Sequence, residues 1–562
     1  MQTTLKFALL AACACVSLAA CYSKPPEHVL EQAPAGGPPP PPPPPPAPSS
    51  EFAVQRSVVV TGNVANTEAP VVMPTSIPGN VDRDRYEDFE TNPVFRVSDE
   101  PVSTFSVDVD TASYSVMRQF LNMGVLPPVD AVRVEELINY FDYTYPVPED
   151  RDPPFSTNVT LTPSPWSDSN MLMQIGVQGY EIPIDERPPI NMTLLVDVSG
   201  SMSSSNKLPL AKRALAMLID QMNEEDTISI VVYAGAAGTV LEPTPGNEHA
   251  TILAALEQMR AGGSTAGGEG LRLAYSLAEQ NFDEDAVNRV MLLTDGDFNV
   301  GITQDERLED FVARKRDTGI YLSVMGFGAG NYNDQMMQTI AQAGNGMAAY
   351  VDTLNEARRL LVDDLVGSIF TIAEDVKVQV EFNPARISEY RLIGYETRML
   401  NEADFNNDQV DAGEIGAGHE VTAIYEVTPV GEQGLMNERR YGETQDAPEA
   451  SDEWAFVQLR YKPPQEDESI LVQVPVTDDL IFAEIEDAPI YTRFATAVAG
   501  FGQMLRNDPY LSEEFDYDAI IELALSARGE DEYGYRSEFV QLVRAAETAA
   551  AQAALENPGA GD

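Results

Sequence analysis

The stretch that decides the fold is MTLLVDVSGSMSSSNK, Met192 to Lys207. Its first half is almost continuously apolar, as a strand buried on both faces should be. It then turns abruptly to Asp197 and five serines. So many oxygen atoms behind a buried strand have two physical uses. They cap the next helix, which "LPLAKRALAMLIDQM" announces by its spacing, or they gather around a hard cation, which prefers oxygen ligands.

The surrounding chain alternates strand and helix from 191 to 370. "TISIVVYAG", "NRVMLLTDGD", "IYLSVMGFG" and "AAYVD" read as strands. "ATILAALEQM", "LRLAYSLAEQ", "RLEDFVARKRD", "NDQMMQTIAQAGNG" and "LNEARRLLVDDLVGSIF" read as helices. Such alternation predicts an α/β fold, a doubly wound and mainly parallel sheet with helices on both faces. Ligands of these sheets bind outside the carboxyl ends of the strands. Asp197 and Asp295 both stand there.

The flanks read differently. Residues 83–190 predict a small α+β domain: a strand and helix in "STFSVDVDTASYSVMRQFLNMGVLPP", a second helix in "VDAVRVEELINYFDYTYP" ended by Pro146, then two alternating strands. Residues 371–480 are rich in alternating strands and predict a β-sandwich, and 481–562 return to helix.

The chain has 562 residues and a formal charge of −54. That is material for roughly three to four domains. The acidity excludes nucleic acid as a partner, since phosphate is repelled and no basic patch offsets it. At the N-terminus Lys6 precedes "FALLAACACVSLAA", too short to span a membrane. The sequence Leu18 to Cys21, "LAAC", resembles the lipobox of bacterial lipoproteins. That resemblance implies a signal peptide over 1–21 and lipid on Cys21. Cys13 and Cys15, the other two cysteines of the chain, would leave with it. Tyr22 behind the cysteine implies an outer-membrane address in the cell envelope. Residues 22–82, with the proline-rich stretch from Pro34 to Ser50, predict a polyproline tether at about 3.1 Å per residue.

Three elements converge on one chemistry. Asp197, Ser199 and Ser201 form D-x-S-x-S. "GGSTAGGEG" puts Thr265 in a glycine-rich loop before a helix. "LLTDGD" puts Asp295 at a strand end. In this order the set is similar to the metal-ion-dependent adhesion site (MIDAS) of von Willebrand factor type A domains. The resemblance implies Mg²⁺, or Mn²⁺ or Ca²⁺, held by the Ser199 and Ser201 hydroxyls, by Asp197 and Thr265 directly or through water, and by Asp295 chiefly through water. It leaves one position for a carboxylate from a protein partner. "STFSVDVDTASY", "VRVEELINYFDYTYP", "TDGDFNVG" and "DFNNDQVDAGEIGAGHEVTAIYE" further resemble a bacterial subfamily of such lipoproteins, with its own N-terminal domain and a C-terminal domain of unassigned function. The implied role is metal-dependent adhesion or scaffolding, not catalysis; the alternative is an envelope hydrolase using the same ion.

Other motifs are weaker. "DGDFNVGITQDE", Asp295 to Glu306, has EF-hand spacing but Val300 where that loop needs glycine. "DFNNDQVDAGEI", Asp404 to Ile415, lacks both the glycine and the final glutamate, and reads better as a polar turn than as a calcium loop. "FSVDVDTA", Phe105 to Ala112, has the D-x-D of a phosphatase nucleophile loop, but no parallel sheet follows; Asp110 reads better as a helix cap. The three histidines, His28, His249 and His419, include no evident general base, and neither a G-x-S-x-G elbow nor a P-loop is present.

Overall fold

The computed structural model describes residues 89–556 apart from 150, 184–185, 265–266, 297–304, 329–333, 438–451, 465 and 513. Cys21, the signal and tether segments, Thr265 and most of the EF-hand-like loop therefore lie outside the described residues.

The central sheet has six strands. They are β1 (Ile190–Asp197), β2 (Thr227–Tyr233), β3 (Ala237–Pro245), β4 (Val287–Thr294), β5 (Ile320–Phe327) and β6 (Ala348–Val351), in spatial order β6-β5-β4-β1-β2-β3. All neighbours run parallel except β3, which pairs antiparallel with β2 at the edge. Every residue of β1 is buried, which explains its unbroken apolar run. Leu194 and Val196 point into the core that holds helix α1 (Leu208–Asp220), through Leu215 and Leu218. Leu195 points the other way, towards Leu271 and Ala274 of helix α3 (Gly267–Gln280). Between them in sequence lies α2 (His249–Gln258). The apolar positions of α1 recur three and four apart, so one face is buried; Pro209 sits in its first turn, where a missing N–H costs nothing. Edge strand β3 escapes the sequence reading because "AGTVLEPTP" is half-exposed and carries two prolines, which argue against a strand except at a sheet edge.

The flanks interleave. One antiparallel sheet joins Phe95–Arg96, Ile387–Ile393, Glu420–Pro429, Met171–Gly179 and Phe155–Pro163, in that order. A second joins Gly413–Gly416, Thr371–Phe382, Glu453–Lys462 and Ile470–Thr477, and Val102–Ser106 pairs with Thr371–Phe382. Their facing rings meet: Phe382 stacks on Tyr390 at 4.1 Å and meets Tyr425 edge-on at 5.3 Å. The expected sandwich is thus built from strands on both sides of the central sheet's sequence. Each flank alone would leave unpaired strand edges. The helices Ile490–Arg506, Tyr517–Ser526 and Tyr535–Glu556 build a second core around Phe494, Phe501 and Phe539.

Three local expectations are corrected. The second N-terminal helix is only Val134–Ile138, because the aromatic run behind it, Tyr140 to Tyr145, is spent on core packing and not on a helical face. The helix closing the central domain is broken by a π-turn over Arg359–Asp363 between Leu354–Arg358 and Leu365–Ile369. Asp110 is no cap: it accepts from the Ala348 N–H and faces Arg398. Among the described residues no helix is long and apolar enough to cross a membrane.

Candidate metal centre

The sheet reverses its winding direction between β1 and β4: the chain leaves β1 for β2 on one side and later returns to β4 on the other. Loops diverge at such a point and leave a crevice. Since Val196 pairs with Leu293, Asp197 and Asp295 emerge side by side at its rim. The glycine-rich loop is drawn in by backbone bonds: Gly262 N–H donates to Val198 O at 2.7 Å, and Gly200 N–H to Gly263 O at 3.1 Å. Gly263 has φ +92, a conformation only glycine adopts freely. Helix α3 then starts directly on β2, since a Cβ at Gly270 would collide with Tyr233.

Asp197 is fully buried. Its Oδ1 accepts the Ser199 N–H at 2.7 Å, while its Oδ2 accepts no hydrogen bond of ordinary geometry among the described residues. The Ser199 and Ser201 hydroxyls lie 2.9 Å apart. Neither serves as a helix cap: Ser199 begins a short 3₁₀ turn without a side-chain capping bond, and the N-cap of α1 is Lys207. Burial, reinforced by the Asp295 carboxylate, pushes the Asp197 acid up to about 6, against hydrogen bonds from Ser199 and Tyr233 that lower it. An anion held this way wants a cation.

Asp295 has one. Lys207 Nζ donates to its Oδ2 at 2.8 Å, and both side chains are buried. The lysine stem lies against Gly328, φ +90, where any Cβ would strike it. Sequence reasoning missed Lys207, although a signal was there. A lysine at a helix N-terminus opposes the helix dipole, so its presence calls for an anion nearby.

The structure thus brings Asp197, Ser199, Ser201 and Asp295 to one rim; Thr265 lies outside the described residues, between the Ser264 that ends the tied loop and the first turn of α3. The donors fit a hard dication: a buried carboxylate, one of whose oxygens accepts no hydrogen bond of ordinary geometry among the described residues, beside two mutually bonded hydroxyls. The Asp404–Ile415 stretch and the two described histidines gather no comparable donor set among the described residues. Asp404 caps its own turn from Asn401, Asn406 accepts from Arg460, and Asp408 accepts from Ser469. His249 contacts the Met222 carbonyl at the start of α2. His419 is wedged against Gly367 and Gly416, and burial, with Arg359 and Arg289 beside it, pushes it down to about 4.

The fold and this rim define a protein with a von Willebrand factor type A domain. A family model of that description matches residues 191–363, and one described as von Willebrand factor matches 80–174. A third, described as "Uncharacterized protein YfbK, C-terminal", matches 367–549. The chain is 42% identical over 471 residues to YfbK of Escherichia coli (strain K12), covering 82% of this chain and 81% of that protein. It belongs to the YfbK family of von Willebrand factor type A proteins. Inter-alpha-trypsin inhibitor heavy chain H3 of Homo sapiens is 26% identical over 278 residues, 45% of this chain and 30% of that protein. Among solved structures, the von Willebrand factor type A protein from Catenulispora acidiphila aligns over 72% of this chain and 91% of that one, with 16% identity and a TM-score of 0.38.

Proposed function

We propose that this is a bacterial envelope protein, anchored through lipid on Cys21, that binds a protein partner through a divalent cation, Mg²⁺ or else Mn²⁺ or Ca²⁺, at Asp197, Ser199, Ser201, Thr265 and Asp295. The observation that carries the reading is the buried Asp197 carboxylate, whose Oδ2 accepts no hydrogen bond of ordinary geometry among the described residues, beside the paired serine hydroxyls. Charge supports the partner chemistry. Asp197 and Asp295 bring two negative charges and Lys207 returns one positive, so a dication there is under-neutralised and attracts an external carboxylate. Bound there, the ion supplies an electrophilic point for an anionic oxygen. The reading is non-enzymatic: no histidine stands in 197–207, 261–264 or 294–296 to act as a base.

The test is thermal unfolding of the whole protein with Mg²⁺ or chelator. An ion that binds only the native state raises the melting temperature. Asp197→Ala should abolish the shift. Calorimetry with no saturable Mg²⁺, Mn²⁺ or Ca²⁺ binding to the wild type would overturn the assignment. Metal-dependent turnover of ester or phosphate substrates, lost in Asp197→Ala, would replace adhesion with hydrolysis.

A further inference from the structure

A groove beside the metal loops is positively charged in a chain that is otherwise strongly acidic. It has a volume of about 500 Å³ and runs between α1 and α2. Met202, Leu208 and Met259 form a buried apolar floor. Lys212, Arg213 and Arg260 form the rim. Two of the chain segments that wall the groove lead directly into the metal loops. Ser203 in its wall is two residues beyond Ser201, and Ala261 directly precedes the Gly262 that bonds to Val198.

The rim cations are poorly used by the fold. Arg213 and Arg260 are exposed and, among the described residues, donate only to nearby carbonyls, of Pro209 and of Glu257 and Met259. Neither has a carboxylate partner among the described residues. Lys212 reaches Glu257 at 3.4 Å, but the glutamate side chain is 80% exposed, and such a pair adds little to stability. The groove keeps a surplus of positive charge while the whole chain carries −54. The global field repels an acidic partner. A partner that must present a carboxylate to the metal therefore needs local compensation, and this is where the surface provides it.

We propose that the groove receives an extended acidic segment of the protein partner, with an apolar side chain on the floor and carboxylates on Arg213 and Arg260, while another carboxylate of the same segment engages the metal site. The inference rests on the metal-site reading above. An anionic membrane surface is the poorer occupant, because three cations around a narrow apolar floor suit a peptide better than a plane of headgroups.

Fluorescent ten-residue peptides in a glycine–serine background test it by anisotropy on the whole protein. One peptide carries a single glutamate; the other adds a leucine and two further aspartates. In Mg²⁺ the second should bind about tenfold more tightly, the scale of two partly desolvated ion pairs, and salt should erode the difference. Arg213→Glu, and independently Arg213→Gln with Arg260→Gln, should remove the preference and leave the Mg²⁺ melting shift unchanged. Equal Mg²⁺-dependent binding of both peptides overturns the groove and spares the metal reading. If the acidic peptide binds without regard to Mg²⁺ or Asp197→Ala, yet is lost in Arg213→Glu, the groove stands and the coupling to the metal fails. No binding of either peptide, or capture of phosphatidylglycerol vesicles in their place, overturns the proposal.

Discussion

Lys207 is the point at which the metal reading meets a stability measurement. Its ammonium is the counter-ion of Asp295, at 2.8 Å and out of solvent. Lys207→Met keeps a stem of similar length in the slot beside Gly328 and removes the charge. Breaking a buried pair by deleting one partner costs about 3–5 kcal/mol, because the remaining charge is left uncompensated. In chelator, the variant should therefore unfold at a markedly lower temperature than the wild type. A dication at the rim would compensate the same carboxylate. If it recovers even about 2 kcal/mol of the loss, its dissociation constant falls by about thirtyfold. Lys207→Met should thus be less stable without metal, bind Mg²⁺ more tightly, and show the larger melting shift on addition of Mg²⁺. Titration calorimetry and differential scanning calorimetry on the whole protein read both effects. An unchanged or weaker Mg²⁺ affinity would refute the reasoning, since it would mean that the lysine orders the site and does not compete with the ion.

Other consequences follow from buried charge in the flanks and from the N-terminus. Arg118, fully buried, binds Asp352, Glu356 and Glu538 and so ties the N-terminal flank, the central domain and the last helix together; Arg118→Met should lower the urea midpoint by the equivalent of about 3–5 kcal/mol, and a change within error would show the junction to be held by packing alone. Glu135 is fully buried, and burial, with Glu396 second, pushes it up to about 8 from an ordinary 4.5. The native state then keeps a proton that the unfolded state releases between those values, so this group's contribution to stability falls as pH rises through that window. Glu135→Gln, which mimics the neutral acid, should match the wild type near pH 5 and exceed it near pH 8 in urea midpoint; parallel curves would disprove the assignment. Cys21→Ser should move the protein from the membrane to the soluble fraction of cells, and unchanged fractionation would rule out the lipid anchor.

The legibility of this chain follows the range over which each signal acts. Strand β1 could be read because burial on both faces forces an apolar run, and its end could be read because Asp197 and the serines interrupt it within a few residues. Asp295 was legible for the same reason. The interleaved flanks were not: Val102–Ser106 pairs with residues 377–381, and a strand's sequence states its alternation but not its partner. Lys207 was overlooked because a lysine before an amphipathic helix looks solvent-exposed until the carboxylate 88 positions away is placed beside it. The interleaving also has a consequence for the site. The chain enters the central sheet at Ile190, the first residue of β1, which pairs with Val287. After the last strand the closing helices bring it back to Ile369, whose carbonyl accepts from the Arg289 side chain near the start of β4. Both covalent connections thus lie towards the amino ends of the central strands β1 and β4. The carboxyl ends of those strands, with Asp197 and Asp295, carry neither connection, so the partner proposed above would not contend at that rim with the chain that links the central domain to the sandwich.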